Sequence, residues 1–386
     1  MEYRLGQICK FQSGGTPAKG NPEYFNGNIP WITTTALNGS EINDHDAVDW
    51  ITEKAINESA AKIVPANSIM VGTRVGVGKV AINKVPMSTS QDIISLLDIA
   101  EDKWDKDYLC KLIQANHAFL NSQARGATIK GIKIDVLAAL KVPEIPLEKQ
   151  RKVSDVINKT RGIINLRRKE LESLDELIKA RFVELFGDPE TNPMGWEQMT
   201  LNDVCSSVVR GPFGSALKKE FFVEPGENTY KVYEQKHVIQ KSAEIGTYYI
   251  SEEKYNELKR FECLPGDILM SCSGTMGELY QLPEGCAKGV INQALCKFTL
   301  NEKILPVCFL EYMRQTIGNL ETKGSGIQNI AAVSYVKAMP INVPAMDVQR
   351  QFVSFVEQVD KSKVVVQKAL NEAQLLFDSL MQEYFG

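Results

Sequence analysis

VPEIPLEKQRKVSDVINKTRGIINLRRKELESLDELIKARFVELFG, residues 142–187, returns at the far end of the chain as NVPAMDVQRQFVSFVEQVDKSKVVVQKALNEAQLLFDSLMQEYFG, residues 342–386. Each copy opens on proline, reaches a Gln-Arg pair, continues as a long helical pattern and closes on Phe-Gly. The two pairs, Gln150-Arg151 and Gln349-Arg350, stand 199 positions apart, and no gap is needed along the helix. A repeat of this kind sets the architecture before any local reading does.

The match extends upstream. Residues 69–78 (IMVGTRVGVG) align at the same offset with residues 268–277 (ILMSCSGTMG). TEKAINESAAKIVPANS at 52–68 and SEEKYNELKRFECLPGDI at 251–268 both read as a short helix, a strand and a Pro-centred turn. Further upstream, LGQIC from Leu5 faces LNDVC from Leu201. The chain is therefore a tandem of two units, each a globular part followed by a helix. The boundaries expected are residues 1–145, 146–187, 188–343 and 344–386.

The helical parts carry apolar residues every seventh position. The first row is Ile157, Ile164, Leu171, Ile178 and Leu185, thickened by Val153, Leu174 and Phe182. The second helix has two rows: Phe352, Val359, Val366, Ala373, Leu380, and Val356, Leu370, Phe377, Tyr384, the latter interrupted by Lys363. Sustained heptads with charges between them predict a coiled coil. An amphipathic helix lying on its own globular part is the other reading. At 1.5 Å per residue, a helix of about 40 residues is about 60 Å long, enough to hold two heads apart.

Composition narrows the class. In 386 residues, 44% are hydrophobic and 24% charged, which fits a globular protein too large for one ordinary core. No apolar run of about 18 residues is present, and MEYRLGQICKF lacks a charged-then-apolar leader pattern, so a cytoplasmic location is expected. Eight scattered cysteines form no CxxC pair and only three histidines occur, so no metal site is expected and the thiols read as reduced and buried. The net charge of −4 is uneven: residues 1–187 carry 25 Lys+Arg against 23 Asp+Glu, the remainder 19 against 25. A DNA-binding role would need the basic side chains gathered on one face.

The globular parts read as mixed α/β (α+β). IPWITTTAL, SIMVGTRVGVGKVAIN and DIISLLDI in the first unit, and TYKVYEQKHVI, DILMSCSGTMGELYQL and ALCKFTL in the second, have strand texture, with helical segments beside them. Enzyme signatures fail on inspection. GTRVGVGK has five residues between Gly72 and Gly78-Lys79 where a P-loop needs four, and Val80 stands where Ser or Thr would bind magnesium. Ala81 breaks GxGxxG, and neither a Gly-x-Ser-x-Gly elbow nor an Asn-Pro-Pro-Tyr or Asp-Pro-Pro-Tyr motif occurs.

Four polar loops recur instead: SGGTPAKG opposite VRGPFGSALKK, TTTALN opposite YEQKHV, GTRVGVGK opposite SCSGTMGE, and RGATIKGIK opposite KGSGIQNI. SGGTP alone allows a phosphate cradle, a catalytic turn or a plain bend. A kept scaffold with changed loop residues suits two heads that read different DNA sequences through base-edge and phosphate contacts. In this alignment one glycine of the first loop becomes Arg210 and Thr-Pro becomes Pro-Phe. The candidate DNA contacts in the first head are Thr16, Lys19, Thr34, Thr35, Arg74, Lys79, Lys130 and Lys133. In the second they are Arg210, Ser215, Lys218, Lys219, Gln235, Lys236, Ser273, Thr275, Lys323 and Gln328.

SGGTP followed by IPWITTTAL, IVPANSIMVGTRVGVGKV, and RGATIKGIKIDVLAALKVPEIPLEKQRKV before a long helix resembles the specificity subunit of Type I restriction-modification enzymes. The resemblance covers nearly the whole chain. It implies two similar target-recognition domains, each reading half of a bipartite double-stranded DNA target, separated by two helices paired as an antiparallel coiled coil. It implies a non-catalytic chain that binds no cofactor and assembles with two modification (methyltransferase) subunits and with restriction subunits. S-adenosylmethionine would belong to the modification partner, ATP and magnesium to the restriction partner. A methyltransferase or nuclease with unrecognised chemistry, and an adaptor that binds only proteins, are the rival readings.

Overall fold

The structure, a computed structural model, describes residues 2–39, 41–126, 130–317, 322–323, 329–330 and 333–386. The chain divides into two compact units, residues 1–168 with 367–386 and residues 169–366.

In the first unit a five-stranded sheet runs in the order Lys10–Ser13, Ile93–Leu97, Ile69–Gly72, Val80–Asn83, Glu41–Ile42. A four-stranded sheet lies in the order Asp49–Ile51, Phe25–Ile32, Met87–Thr89, Ile63–Val64. The central strand Ile69–Gly72 shows why a continuous apolar run is needed. Successive side chains of a strand point to opposite faces. Ile69 and Val71 join Val80, Leu96, Tyr108 and Leu109 in one core, whereas Met70 joins Ile32, Ile42, Met87 and Ile93 in another. A strand covered on both faces cannot alternate with polar residues. The helix Lys106–Ala115 supplies Tyr108, Leu109 and Leu112 to the first core and is capped by Asp105, whose Oδ1 accepts from the Tyr108 amide at 2.8 Å.

The second unit repeats this order. Cys205–Arg210, Leu295–Leu300, Ile268–Ser271 and Leu279–Gln281 form one antiparallel sheet. Tyr249–Ser251, Thr229–Tyr233, Gly289–Ile291 and Glu262–Cys263 form the other. Ile268 and Met270 face one core and Leu269 the other, as in the first unit. Each head is also closed at its ends: Glu2–Arg4 pairs with Lys141–Pro143, and Glu197–Thr200 with Pro340–Val343.

The two long helices are Leu147–Phe186 and Met346–Phe385, each of 40 residues. In the first unit Val153 and Ile157 are buried in the core, with Phe377, Leu380 and Tyr384 packed against it. Arg161 lies over the Phe377 ring at 5.4 Å and donates to Gln114 Oε1 at 2.9 Å. In the second unit Phe182 and Phe352 meet with ring centroids 5.4 Å apart, and Lys363 Nζ bonds Asp175 Oδ1 at 2.6 Å. Moving from Phe182 back to Asp175 accompanies a move from Phe352 forward to Lys363, so the segments run antiparallel. Of the predicted heptad residues, Ile157, Ile164, Ile178, Phe352, Val359 and Val366 are buried, and Leu171, Leu185, Leu370, Phe377 and Leu380 are half-buried. Burying a phenylalanine such as Phe352 contributes about 1.5–3 kcal/mol. Lys363, which interrupts one row, meets its opposite charge at that point.

All eight cysteines are free, and seven are buried. Burial pushes the Cys9, Cys205 and Cys308 thiols up to about 12. No helix among the described residues is long and apolar enough to cross a membrane.

Candidate nucleic-acid interface

In the first unit the glycines of SGGTP are placed by packing. The Gly14 amide donates to Ile93 O at 3.0 Å and the Gly15 amide to Thr89 O at 2.9 Å. Trp31 Nε1 donates to Gly15 O at 3.1 Å. A Cβ at Gly14 would stand 2.2 Å from Ser90 O, and one at Gly15 2.1 Å from Ala60 O. Both amides that a phosphate cradle would need are thus committed to the protein. What the loop offers to solvent is the half-buried Thr16 and the exposed Lys19.

The GTRVGVGK turn is tied in the same manner. The Gly72 amide donates to Lys79 O at 2.8 Å and the Gly78 amide to Gly72 O at 2.9 Å. Gly78 holds φ at +80°, and a Cβ there would lie 3.0 Å from the His117 ring. Its counterpart Gly277 holds φ at +82° and donates to Ser271 O at 2.9 Å. These glycines shape a turn; they do not grip a ligand.

Around that turn the structure gathers cations. Arg125 and Gly131 exchange backbone hydrogen bonds of 2.9 and 3.0 Å, and the Ile132 amide donates to Thr73 O at 2.8 Å. Arg74, Arg125 and Lys133 consequently line one cavity of about 290 Å³ with Gly131 and Ile132. Arg74 Nη1 stands 3.7 Å from Asp92 Oδ1, and its side chain is 52% exposed. Lys79 and Lys130 are exposed. Thr34 is buried under Gly72, whereas Thr35 is exposed and shares a 2.8 Å hydrogen bond with the Thr33 hydroxyl.

In the second unit the Gly211 amide donates to Leu295 O at 2.9 Å, as Gly14 does to Ile93 O. Arg210 pairs with Cys296 across the sheet as Ser13 pairs with Ile94. The loop register therefore differs from the one expected from sequence. Arg210 stands in the place of Ser13, Gly211 keeps Gly14, and Pro212-Phe213 follow where Gly15-Thr16 stand. The reason is physical: a Cβ at Gly211 would lie 1.8 Å from Asn292 O, so the glycine at this crossing is kept while its neighbours change.

Arg210, Ser215 and Ser273 line one cavity of about 980 Å³, with Phe213, Arg260 and Gln293. The hydrogen bond with Cys296 holds the Cys272 pKa below the ordinary thiol value against the opposing effect of burial, and the Arg210 charge adds to the lowering. Gln235 serves as a brace: its Nε2 donates to Ser273 O and, at 3.0 Å, to Thr275 O. Lys236 pairs with Glu234 at 2.7 Å, and Lys218 lies 3.7 Å from Glu220. Lys219 and Thr275 are exposed. Lys323 belongs to the short strand Thr322–Lys323, and Gln328 lies outside the described residues.

Sequence reasoning passed over Arg125, Phe213, Arg260 and Gln293. Gln293 had a readable signal. It precedes the strand Leu295–Leu300 in INQAL as Gln91 precedes Ile93–Leu97 in STSQDII, and both are exposed. Arg260 had none, because only folding carries its short turn, Lys259–Phe261, to the Arg210 loop.

Comparisons with known proteins give one answer. Residues 1–176 and 193–374 match the family model described as Type I restriction modification DNA specificity domain. The chain is 24% identical over 409 residues to the Type I restriction enzyme MjaIX specificity subunit of Methanocaldococcus jannaschii, covering 98% of this chain and 90% of that protein. It is 29% identical over 205 residues to the EcoR124I/EcoR124II specificity subunit of Escherichia coli, covering 48% of each. Among solved structures, a chain from a study of complex assembly and conformational transition of the type I R-M system aligns at TM-score 0.66 and 16% identity, covering 100% of this chain and 97% of that one. The Type-I restriction-modification system S subunit from M. genitalium aligns at TM-score 0.54 and 15% identity, covering 100% and 96%.

Proposed function

Because the chain belongs to the Type I restriction-modification DNA specificity family, as a non-catalytic specificity subunit, we propose that its two heads, residues 1–145 and 188–343, each read one half of a bipartite duplex target. The helical regions, residues 146–187 and 344–386, set the spacer between the halves. The chain docks two modification subunits, and restriction subunits for cleavage, in the cytoplasm. S-adenosylmethionine and ATP with magnesium are the partners' cofactors.

The observation that carries the reading is the pair of cation-lined loop clusters, one per unit. Arg74, Arg125 and Lys133 surround one cavity, and Arg210 and Arg260 another. In the first unit Arg74 sits on the hydrogen-bonded turn after Gly72, and in the second Arg210 ends the strand Cys205–Arg210 beside the short turn Lys259–Phe261 that carries Arg260. Arginine and lysine at such places fit phosphate oxygens and guanine edges. Neither cluster requires chemistry from the chain itself.

The test is binding by the chain assembled with its modification subunits, using duplexes with either half-site intact. Arg74→Ala is expected to weaken binding through the half-site of the first head and spare the other. It should also flatten the dependence of log K on log salt by about one unit if Arg74 contacts a phosphate. Equal losses on both half-sites would overturn the two-head reading.

A further inference from the structure

Phe213 is 90% exposed, more than any other large apolar side chain among the described residues. It is not on a loose tip. Pro212 before it is buried, and the Ala216 amide donates to Phe213 O at 2.9 Å, closing the turn Gly214–Ala216. The Gly211 amide fixes the other side by its bond to Leu295 O. A ring held in water on a braced turn loses burial energy that a contact would restore.

Its surroundings indicate the occupant. The cavity that Phe213 borders is also lined by Arg210, Arg260, Ser273 and Gln293, and no carboxylate is among its described lining residues. Two guanidiniums with hydroxyl and amide groups around an apolar ring match a surface that is anionic at its rim and flat and apolar within. That is the composition of a DNA groove, where phosphates flank base edges and thymine methyls. In the first unit the equivalent position is the half-buried Thr16, so the two heads present different chemistry from the same turn.

We propose that Phe213 is a specificity-determining residue of the second head, making an apolar contact with the bases of its half-site while Arg210 and Arg260 hold the flanking phosphates. The inference rests on the DNA-reading function above. It separates base reading from phosphate holding within one loop cluster, and it assigns the apolar share to a residue outside the polar set.

The experiment uses the complex of the full chain with its modification subunits. Binding is measured on three duplexes across a salt series: the methylated target sequence found by methylome mapping, the same duplex with the second head's half-site scrambled, and one with the other half scrambled. Phe213→Ala is expected to weaken binding to the full target roughly tenfold, within the range for loss of one good base contact. Phe213→Leu should fall between Phe213→Ala and the parent. The salt slope should not change, because no phosphate contact is removed. With the second half-site scrambled, parent and variant should bind equally.

Full-target binding within twofold of the parent would overturn the proposal, as would an equal loss on all three duplexes. So would loss of the modification subunits from the Phe213→Ala complex in sedimentation, which would make the ring a protein contact. Failure of the parent complex itself to distinguish the full from the scrambled targets would instead sink the DNA-reading function.

Discussion

Gln150 and Gln349, buried at the first turns of the two long helices, make the same three hydrogen bonds in the two units. Gln150 Oε1 accepts from the Asp105 amide at 2.9 Å, and its Nε2 donates to Lys103 O and Ile145 O, both at 2.9 Å. Gln349 Oε1 accepts from the Leu305 amide at 2.8 Å, and its Nε2 donates to Lys303 O and Pro344 O, both at 2.9 Å. Neither side chain has any exposed surface. Each glutamine pins the loop before a helix of its head to the start of the long helix. The Gln-Arg landmark of the repeat is therefore a structural joint.

Removing a joint strands backbone groups that are buried or part-buried. Gln349→Ala leaves the Leu305 amide and two carbonyls without their partner, a loss of about 3 kcal/mol at about 1 kcal/mol per group, the low end of the cost of a buried unsatisfied group because two of the three are part-buried. Gln150→Ala should cost a similar amount. Urea unfolding of each variant checks this, and a loss below about 1 kcal/mol would show that the bonds are not needed.

Gly14 and Gly211 hold crossings where backbone meets backbone. Gly14→Ala and Gly211→Ala are each expected to destabilise by on the order of 3 kcal/mol, because the obstacles are the carbonyls of Ser90 and Asn292. Thermal unfolding measures the loss. Parent-like stability in either variant would mean that the loop shifts freely, contrary to its hydrogen bonds.

Acid should loosen the second unit at one identifiable place. Burial would raise the Glu262 carboxyl, but hydrogen bonds from Lys259, Tyr255 and Lys288 outweigh it and hold its pKa at about 2, down from 4.5. A depressed carboxylate stabilises the fold above its unfolded pKa, and that contribution is lost as pH falls through the folded value. The stability gap between the parent and Glu262→Gln is thus largest above pH 4.5 and closes toward pH 2. A gap that stays constant across this window would remove Glu262 from the acid response.

The spacer reading predicts a geometric shift. One heptad inserted into both long helices adds about 10 Å of rise, equivalent to about three base pairs of duplex. Target selection with the variant complex should return a spacer longer by about that amount. An unchanged spacer would show that the helices do not set the distance.

The loops divide into a part that was readable and a part that was not. The recurrence of SGGTP, GTRVGVGK and their partners at corresponding places was visible in one dimension. The function of their glycines was not, since Gly14 matters through its approach to Ser90, far away in the chain. The register of Arg210 is hidden in the sequence for the same reason. Sequence alignment weighs side chains, whereas the sheet fixes the glycine at the crossing and lets Ser13 and Arg210 correspond. Thr34 read as a contact because TTTALN is polar, yet folding tucks it beneath Gly72 and leaves Thr35 exposed.

By itself, the sequence determined the duplication, the two 40-residue helices and the mixed α/β heads, because heptad spacing and strand texture are local periodicities that survive in a linear string. The tertiary structure alone decided which cations share a cavity, which amides are already spent, and that Phe213 stands in solvent on a braced turn. Those properties depend on distances between residues far apart in the chain, and such distances exist only once the sheets have closed.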